Sequence, residues 1–494
     1  MTKLLEAEST QALLKQIERE DAALTAHFQP KLKVNYDLTR ALVSFQANKT
    51  AAGYRWFKFK EGFSSALVNY VFDELRLGRG KVIDPFAGSG ATLFSASERR
   101  SDSDAVGIEL LPIGCEIIRA RQAAIQHADR VIDTLSNWIR QKPWRVSNGR
   151  RVPFRHLRIT EGAFPHKTEQ RLTSYLGALS YVRDTASKSV LRLALLSILE
   201  EISYTRKDGQ YLRWDYRSGR RQGTRPFNKG LIQDFDVAIL EKLTRFLNDL
   251  ESSPDLFGYI SKPHISGKIE VICGSCLEEL PKLHTNSFSA LMTSPPYCNR
   301  YDYTRTYALE LALLGIDEVG IRELRQQMLS CTVENKKKEG LADIVGVKTF
   351  ERGGQIFEDQ LLLSAICDYL DHLRNERQLN NSGIARMVRN YFWEMTLVIL
   401  ECARVLRPGA PFIMVNDNVR YAGIPIPVDL ILSRIAESSG FEVETIWVLP
   451  KGKGNSSQQM GRHGREELRK CVYVWRVPTM TRATQRALEV AHRQ

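Results

Sequence analysis

The sequence predicts an α/β protein: a doubly wound, mostly parallel sheet interrupted by two largely helical insertions. Three observations lead there. "GRGKVIDPFAGSGATLFSASERR" gives a turn, a short apolar strand at Val82 and Ile83, a glycine-rich loop and a helix; "DAVGIEL" (104–110) then gives another short strand ending on Glu109. A strand–loop–helix–strand succession is how an open α/β sheet begins. The strand pattern lapses and resumes twice, at "KIEVICGS" (268–275) with "SFSALMTSPPY" (287–297), and again beyond residue 392. At 494 residues the chain also exceeds what one hydrophobic core usually serves, so large insertions are expected.

In order, residues 1–50 read as a helical extension, with Leu4, Leu5, Leu13, Leu14 and Ile17 at helical spacing. Residues 51–120 form the first half of the sheet domain, opened by the amphipathic helix "GFSSALVNYVFDELRL" (62–77). Residues 121–265 hold long helical stretches, a basic loop and few strand-like runs, and make the first insertion. The sheet continues over 266–315, and the charged segment 316–385 is the second, helical insertion. Over 386–478 follow the helix "FWEMTLVILECARVLRPG" (392–409), strand "APFIMVND", helix "DLILSRIAESSG" and strands "FEVETIWVLP" and "KCVYVWRV"; 479–494 is a tail.

Lys and Arg outnumber Asp and Glu by 70 to 57, giving +13 and a pI near 9.3. That excess favours a polyanionic partner, nucleic acid first. The first residues form an amphipathic helix rather than a secretory signal, and no apolar run approaches the roughly 20 residues that span a bilayer. Eight scattered cysteines make no disulfide framework, and Cys273–Cys276 lacks the second pair that a zinc site needs. A cytoplasmic protein without a metal or a membrane is expected.

"VIDPFAGSGATLFSA" has the form of a ligand loop. A glycine turn after a strand lets a ligand approach the backbone, and the following helix start offers free N–H groups. Asp84, Phe86, Ala87, Gly88, Ser89 and Gly90 are the candidates, although a lone G-x-G is often only a turn. Neither dinucleotide nor nucleoside-triphosphate fingerprints fit. Glu109, at the tip of the next strand, can accept the hydroxyls of a ribose.

"DPFAGSG", "GIEL" and "TSPPY" together resemble the S-adenosylmethionine-dependent amino-methyltransferases of DNA, with their F-x-G-x-G and [DNS]-P-P-[YFW] signatures. The resemblance covers roughly 55–120, 266–310 and 390–478 and leaves both insertions unmatched. It implies a Rossmann-like methyltransferase fold, S-adenosylmethionine as cofactor and double-stranded DNA as substrate. It further implies Ser294, Pro295, Pro296 and Tyr297 as the catalytic loop. Ser294 Oγ and the Pro295 carbonyl would accept the two N–H groups of an exocyclic amine, and Tyr297 would stack on a base taken out of the helix. Serine in the first position leans toward N4 of cytosine, with N6 of adenine as the alternative. Where the family has an acidic residue beside the adenine, this chain has Ser275 in "CGSCLEEL". Phe59 and Phe63 stand where the family flanks the methionine end. Cys298 is read as packing, since no Pro-Cys dipeptide of a carbon-methylating enzyme is present.

An insertion between cofactor and catalytic halves resembles a target-recognition region. Within it "TRKDGQYLRWDYRSGRRQGTRPFNKG" (205–230) offers Arg206, Trp214, Arg220 and Arg221 as DNA-binding candidates. "KKK" (336–338) reads as a solvated helix face, and "KGKGNSSQQMGRHGREE" (451–467) as a loop closing on DNA or cofactor. A restriction endonuclease or defence-system proteins are the implied partners. An RNA amino-methyltransferase and a catalytically silent DNA-binding protein are the rival readings.

Overall fold

Short apolar runs bounded by turn residues become twelve strands in the computed structural model, which describes residues 2–99, 103–146, 149–208, 211–251, 267–450 and 468–479. They are β1 (Leu32–Val34), β2 (Val82–Asp84), β3 (Ala105–Glu109), β4 (Thr205–Asp208), β5 (Tyr211–Trp214) and β6 (Ile269–Cys273). The others are β7 (Ala290–Thr293), β8 (Pro411–Asp417), β9 (Val419–Tyr421), β10 (Ile424–Ile426), β11 (Glu442–Val448) and β12 (Lys470–Arg476). Eight of them form one sheet in the order β1-β11-β12-β8-β7-β2-β3-β6, while β4–β5 and β9–β10 are separate hairpins. β8, β7, β2, β3 and β6 run parallel to one another. β12 lies antiparallel between β8 and β11. The fold is the doubly wound, mostly parallel sheet that the sequence predicts.

The central strands are buried on both faces, which is why they read as continuous apolar runs rather than alternating ones. Their side chains still separate by period two. Val82, Met292 and Ile413 pack with α2 (Ser65–Glu74) and α3 (Ala91–Arg99), whereas Ile83, Leu291 and Phe412 face the helices Gly383–Val405 and Val428–Ser438. The helix α2 starts where Ser64 accepts the Leu67 N–H. The helix α4 (Pro112–Gln126) starts on a proline, which suits the first helical position.

The first insertion builds a second core. Its helices α5 (Ala128–Gln141), α6 (His166–Ser180), α7 (Thr185–Ile202) and α8 (Phe235–Glu251) enclose it with Trp56, Tyr307 and Leu309 of the sheet domain. The buried run "VLRLALLSILEEI" lies within α7, at the centre of this core. The second insertion does not stand apart. Leu341, Ile356, Leu363 and Leu370 share a core with Ile83 and Leu291 under the sheet. Among the described residues no helix is long and apolar enough to cross a membrane.

Four features differ from the sequence reading, the first being that 336–338 lie outside any helix, with Lys338 paired to the buried Glu394 at 2.8 Å. The extension 1–50 is not only helix and connector, because β1 joins the sheet edge with Leu32 opposite Ile446. A three-residue strand has no periodicity to read. The basic loop of the first insertion carries the hairpin β4–β5, in which Arg206 opposes Arg213. Cys273, at the end of β6, is bonded to Cys115 across 158 residues, a pairing that spacing alone does not signal. The segment 451–467 and the tail from 480 lie outside the described residues.

A buried ion pair is among those that join the insertion to the sheet domain. Lys207 Nζ on β4 lies 2.6 Å from Glu310 Oε1, and their side chains are only 4% and 1% exposed. Removing one partner of such a pair strands a buried charge. Glu310→Ala should therefore destabilise the protein by about 3–5 kcal/mol. Lys207→Met combined with Glu310→Leu should recover most of that loss, as read from urea denaturation midpoints.

Candidate functional site

Four adjacent parallel strands, β7, β2, β3 and β6, point their carboxyl ends to the same edge of the sheet. From β2 the chain runs outward to β3 and β6 on one side, and β7 and β8 fill the other. Loops therefore leave β2 and β7 in opposite directions and open a crevice, the place where open α/β sheets bind ligands. The crevice here is a cleft of about 780 Å³, open solvent included, lined from all four strand ends.

The loop after β2 is held by its own residues. Phe86 N–H donates to Asp84 Oδ1 at 3.1 Å, and Gly90 N–H to the Ala87 carbonyl at 2.7 Å. Gly88 and Gly90 have φ of +53° and +80°, a left-handed conformation that favours glycine. A Cβ on Gly88 would also stand 3.1 Å from the Phe59 ring. Asp84 is buried and accepts the Thr293 hydroxyl of β7 at 2.6 Å, which fixes the two loops relative to each other. Burial pushes Asp84 up to about 6, against the hydrogen bonds of Thr293, Thr92 and Phe86.

Glu109 closes β3. One carboxylate oxygen accepts the Gly88 N–H and the other the Leu111 N–H, both at 2.7 Å. Burial raises it to about 7 despite those two donors. The start of α4 packs so tightly here that a Cβ on Gly114 would lie 2.6 Å from both the Glu109 side chain and the Gly88 carbonyl. Ser275, after β6, is buried in the cleft wall and donates to the Gln327 carbonyl at 3.1 Å.

The loop after β7 brings Ser294 and Pro296 into the same cleft. Ser294 Oγ donates to Tyr297 Oη at 3.3 Å. Pro295 is buried and Tyr297 half-buried, and neither belongs to the cleft lining. Cys298 is fully buried, and burial pushes its thiol well up, so it packs as a neutral group. Phe59 and Phe63 line the cleft, and Phe59 stacks on Tyr307 with centroids 5.3 Å apart.

Two features of the wall are not foreseen from the sequence. Gln327, Met328 and Leu329 of the second insertion close one side. Glu61 stands in the cleft and accepts hydroxyls from both Tyr301 and Tyr307. The tyrosine spacing in "YDYTRTY" was visible, but its carboxylate partner lies some 240 residues earlier.

The DNA-binding candidates lie on the hairpin and its following loop. Arg220 Cζ sits 3.6 Å from the Trp214 ring centroid, and its guanidinium donates to the carbonyls of Arg158 and Glu161. Both side chains are thus engaged within the insertion. Arg206 and Arg221 are exposed.

The chain is similar to known proteins along nearly its full length. It is 50% identical over 476 residues to the type II methyltransferase M.AvaI of Nostoc sp. (strain PCC 7120), covering 95% of this chain and 96% of that one. The protein of the same name from Anabaena variabilis gives the same figures. The type II methyltransferase M.BsoBI of Geobacillus stearothermophilus is 42% identical over 462 residues, covering 89% and 88%. No family model matches the chain.

The raised Glu109 carboxyl makes stability depend on pH. Its proton is bound more tightly in the native state than in the unfolded one, so its contribution is present at low pH. That contribution fades as pH rises from 4.5 to about 7. Compared with Glu109→Gln, the unmodified protein should lose stability across this window, by at most about 1.4 kcal/mol per pH unit. Thermal denaturation of both proteins, without ligand, at several pH values measures the difference.

Proposed function

The chain belongs to the type II methyltransferases, DNA methyltransferases of restriction–modification systems, and we propose that it methylates N4 of cytosine in double-stranded DNA using S-adenosylmethionine. One observation carries the reading: a single cleft is lined both by Gly88 and Glu109 and by Ser294 and Pro296. A donor site and an acceptor site in one cavity is what direct transfer requires.

The residues present fit S-adenosylmethionine. The Gly88 turn leaves a cradle that a Cβ would fill. Glu109 would take the ribose hydroxyls, Ser275 the adenine amine, and Phe59 and Phe63 the methionine end, all from the cleft lining. Once bound, the cofactor supplies an electrophilic methyl group on a sulfonium.

The work of the chain's own residues is to prepare the amine. An exocyclic amine on cytosine is a poor nucleophile because its lone pair is delocalised into the ring. Ser294 Oγ directs its hydrogen toward Tyr297 Oη, so its lone pairs are available to accept one amine N–H. The Pro295 carbonyl would accept the other. Two successive prolines fix φ and donate no N–H, so the segment presents acceptors rigidly. Held from both sides, the nitrogen turns its lone pair toward the methyl group. Tyr297 would supply the stacking face for the flipped base. A cognate restriction endonuclease is the partner that the family implies.

Ser294→Ala should keep cofactor and DNA binding but lose activity by about 10²-fold or more, because one acceptor is gone. Tyr297→Ala should weaken capture of the flipped base by roughly 1–3 kcal/mol. Gly88→Val should abolish cofactor binding, and Cys298→Ser should be nearly silent. Nucleoside mass spectrometry of methylated DNA identifies the product. A methyl group on carbon would overturn the mechanism, whereas N6-methyladenine would change only the base.

A further inference from the structure

A second depression adjoins the cleft. One short segment borders both, since Phe57 and Lys58 line the depression while Phe59 and Glu61 line the cleft. Most of the other borders come from the first insertion, chiefly α7, β4 and α8, with Phe45, Lys49, Arg55 and Glu310 completing the rim from outside it. Its charge is one-sided. Eight lysine and arginine side chains line it against three glutamates.

Three of the cations are already engaged. Arg55 pairs with Asp249, Lys207 with Glu310, and Lys229 donates to the carbonyls of Glu200 and Ser203. The other five, Lys49, Lys58, Arg206, Lys242 and Arg245, make no hydrogen bond or ion pair among the described residues. Four of these are exposed and need no partner. Lys242 is different: it is 8% exposed, on α8, and lines the depression with no hydrogen bond or ion pair, Glu201 and Glu241 attracting it without bonding it. Burial lowers its pKa, with Glu201 only partly opposing that effect. A nearly buried ammonium facing a cavity is costly unless an anion completes it.

We propose that this depression holds the phosphodiester backbone of the DNA duplex whose base enters the neighbouring cleft. The identity of the ligand follows from the donors. Three of the five are lysines, point charges suited to phosphate oxygens rather than to the paired acceptors of a base edge, and the two arginines can fork onto a phosphate as well. The two aromatic rings in the lining, Phe45 and Phe57, are buried, so no exposed face invites a base to stack. The shared Phe57–Glu61 segment places a bound strand beside the reacting loop. This site rests on the methyltransferase reading but differs from it in role: it contributes affinity independent of sequence, leaving base reading to other surfaces.

The test uses the full-length protein with S-adenosylmethionine and two duplexes, one that it methylates and one that it does not. Binding is measured across potassium chloride concentrations for the unmodified protein, for Lys242→Gln, and for Lys58→Gln with Arg245→Gln. The last pair changes only exposed side chains, so it keeps the experiment decisive if Lys242→Gln folds poorly. Each lost phosphate contact should flatten the log–log salt slope by about 0.9 and weaken both duplexes alike, by about tenfold per contact at moderate salt. An unchanged slope in both variants would overturn the proposal. So would weakening confined to the methylated duplex, which would make the depression a base reader. Inorganic phosphate titrated alone, bound by the unmodified protein and lost in variants whose duplex slope is unchanged, would assign the site to a small anion instead. Absence of any methylated product with the unmodified protein would fault the enzymatic reading and not this site.

Discussion

The hydrogen bond from the Thr293 hydroxyl to the buried Asp84 carboxyl joins the last residues of two parallel strands, and the loops that follow inherit their relative position from it. Everything proposed for catalysis needs that position to be constant. Methyl transfer is a direct displacement, in which small misplacements of donor and acceptor cost orders of magnitude. A second tether, from the Thr92 hydroxyl to the Met292 carbonyl of β7, joins that strand to α3, the helix after the glycine loop. The sheet thus supplies the alignment, and two hydroxyl–acceptor bonds set it.

The same logic explains why carboxyls with raised pKa values are concentrated at this edge. Asp84 and Glu109 are each buried beside backbone N–H groups of turns that ordinary residues could not form. Glu109 bridges Gly88 and Leu111, so it shapes the glycine turn before any ligand arrives. Its role as a ribose acceptor would draw on lone pairs not used by those two N–H groups. Structure and the proposed binding would therefore share one side chain, and a substitution here would disturb both.

How much of this was legible in the sequence depended on the range over which each signal acts. The glycine loop and the Ser-Pro-Pro-Tyr segment were legible because turns and chain stops are local chemistry, as was the run of buried strands. Their meeting in one cleft followed from strand order, which only the resemblance suggested. Glu61, Gln327 and the Cys115–Cys273 bond were not legible, because each finds its partner far along the chain. β1 was missed because three residues pair only by virtue of the neighbour they meet. The contacts of Arg220 were not legible either: it stacks on Trp214 and donates to two carbonyls some 60 residues earlier.

The wiring of the sheet also bears on how the chain reaches its native state. β2 and β7 lie side by side although Thr293 and Asp84 are 209 residues apart, and the edge contact between Thr445 and Lys31 spans 414. Pairings of such length must close very large loops before any of them is rewarded. During synthesis the ribosome releases β1 long before β11, and the β2–β3 pair long before β6 and β7. The helices α5 to α8, by contrast, pack largely on one another, and their core closes once Tyr307 and Leu309 arrive. Topology therefore delays the cleft edge until β6 and β7 arrive, and the far edge of the sheet until β11 and β12.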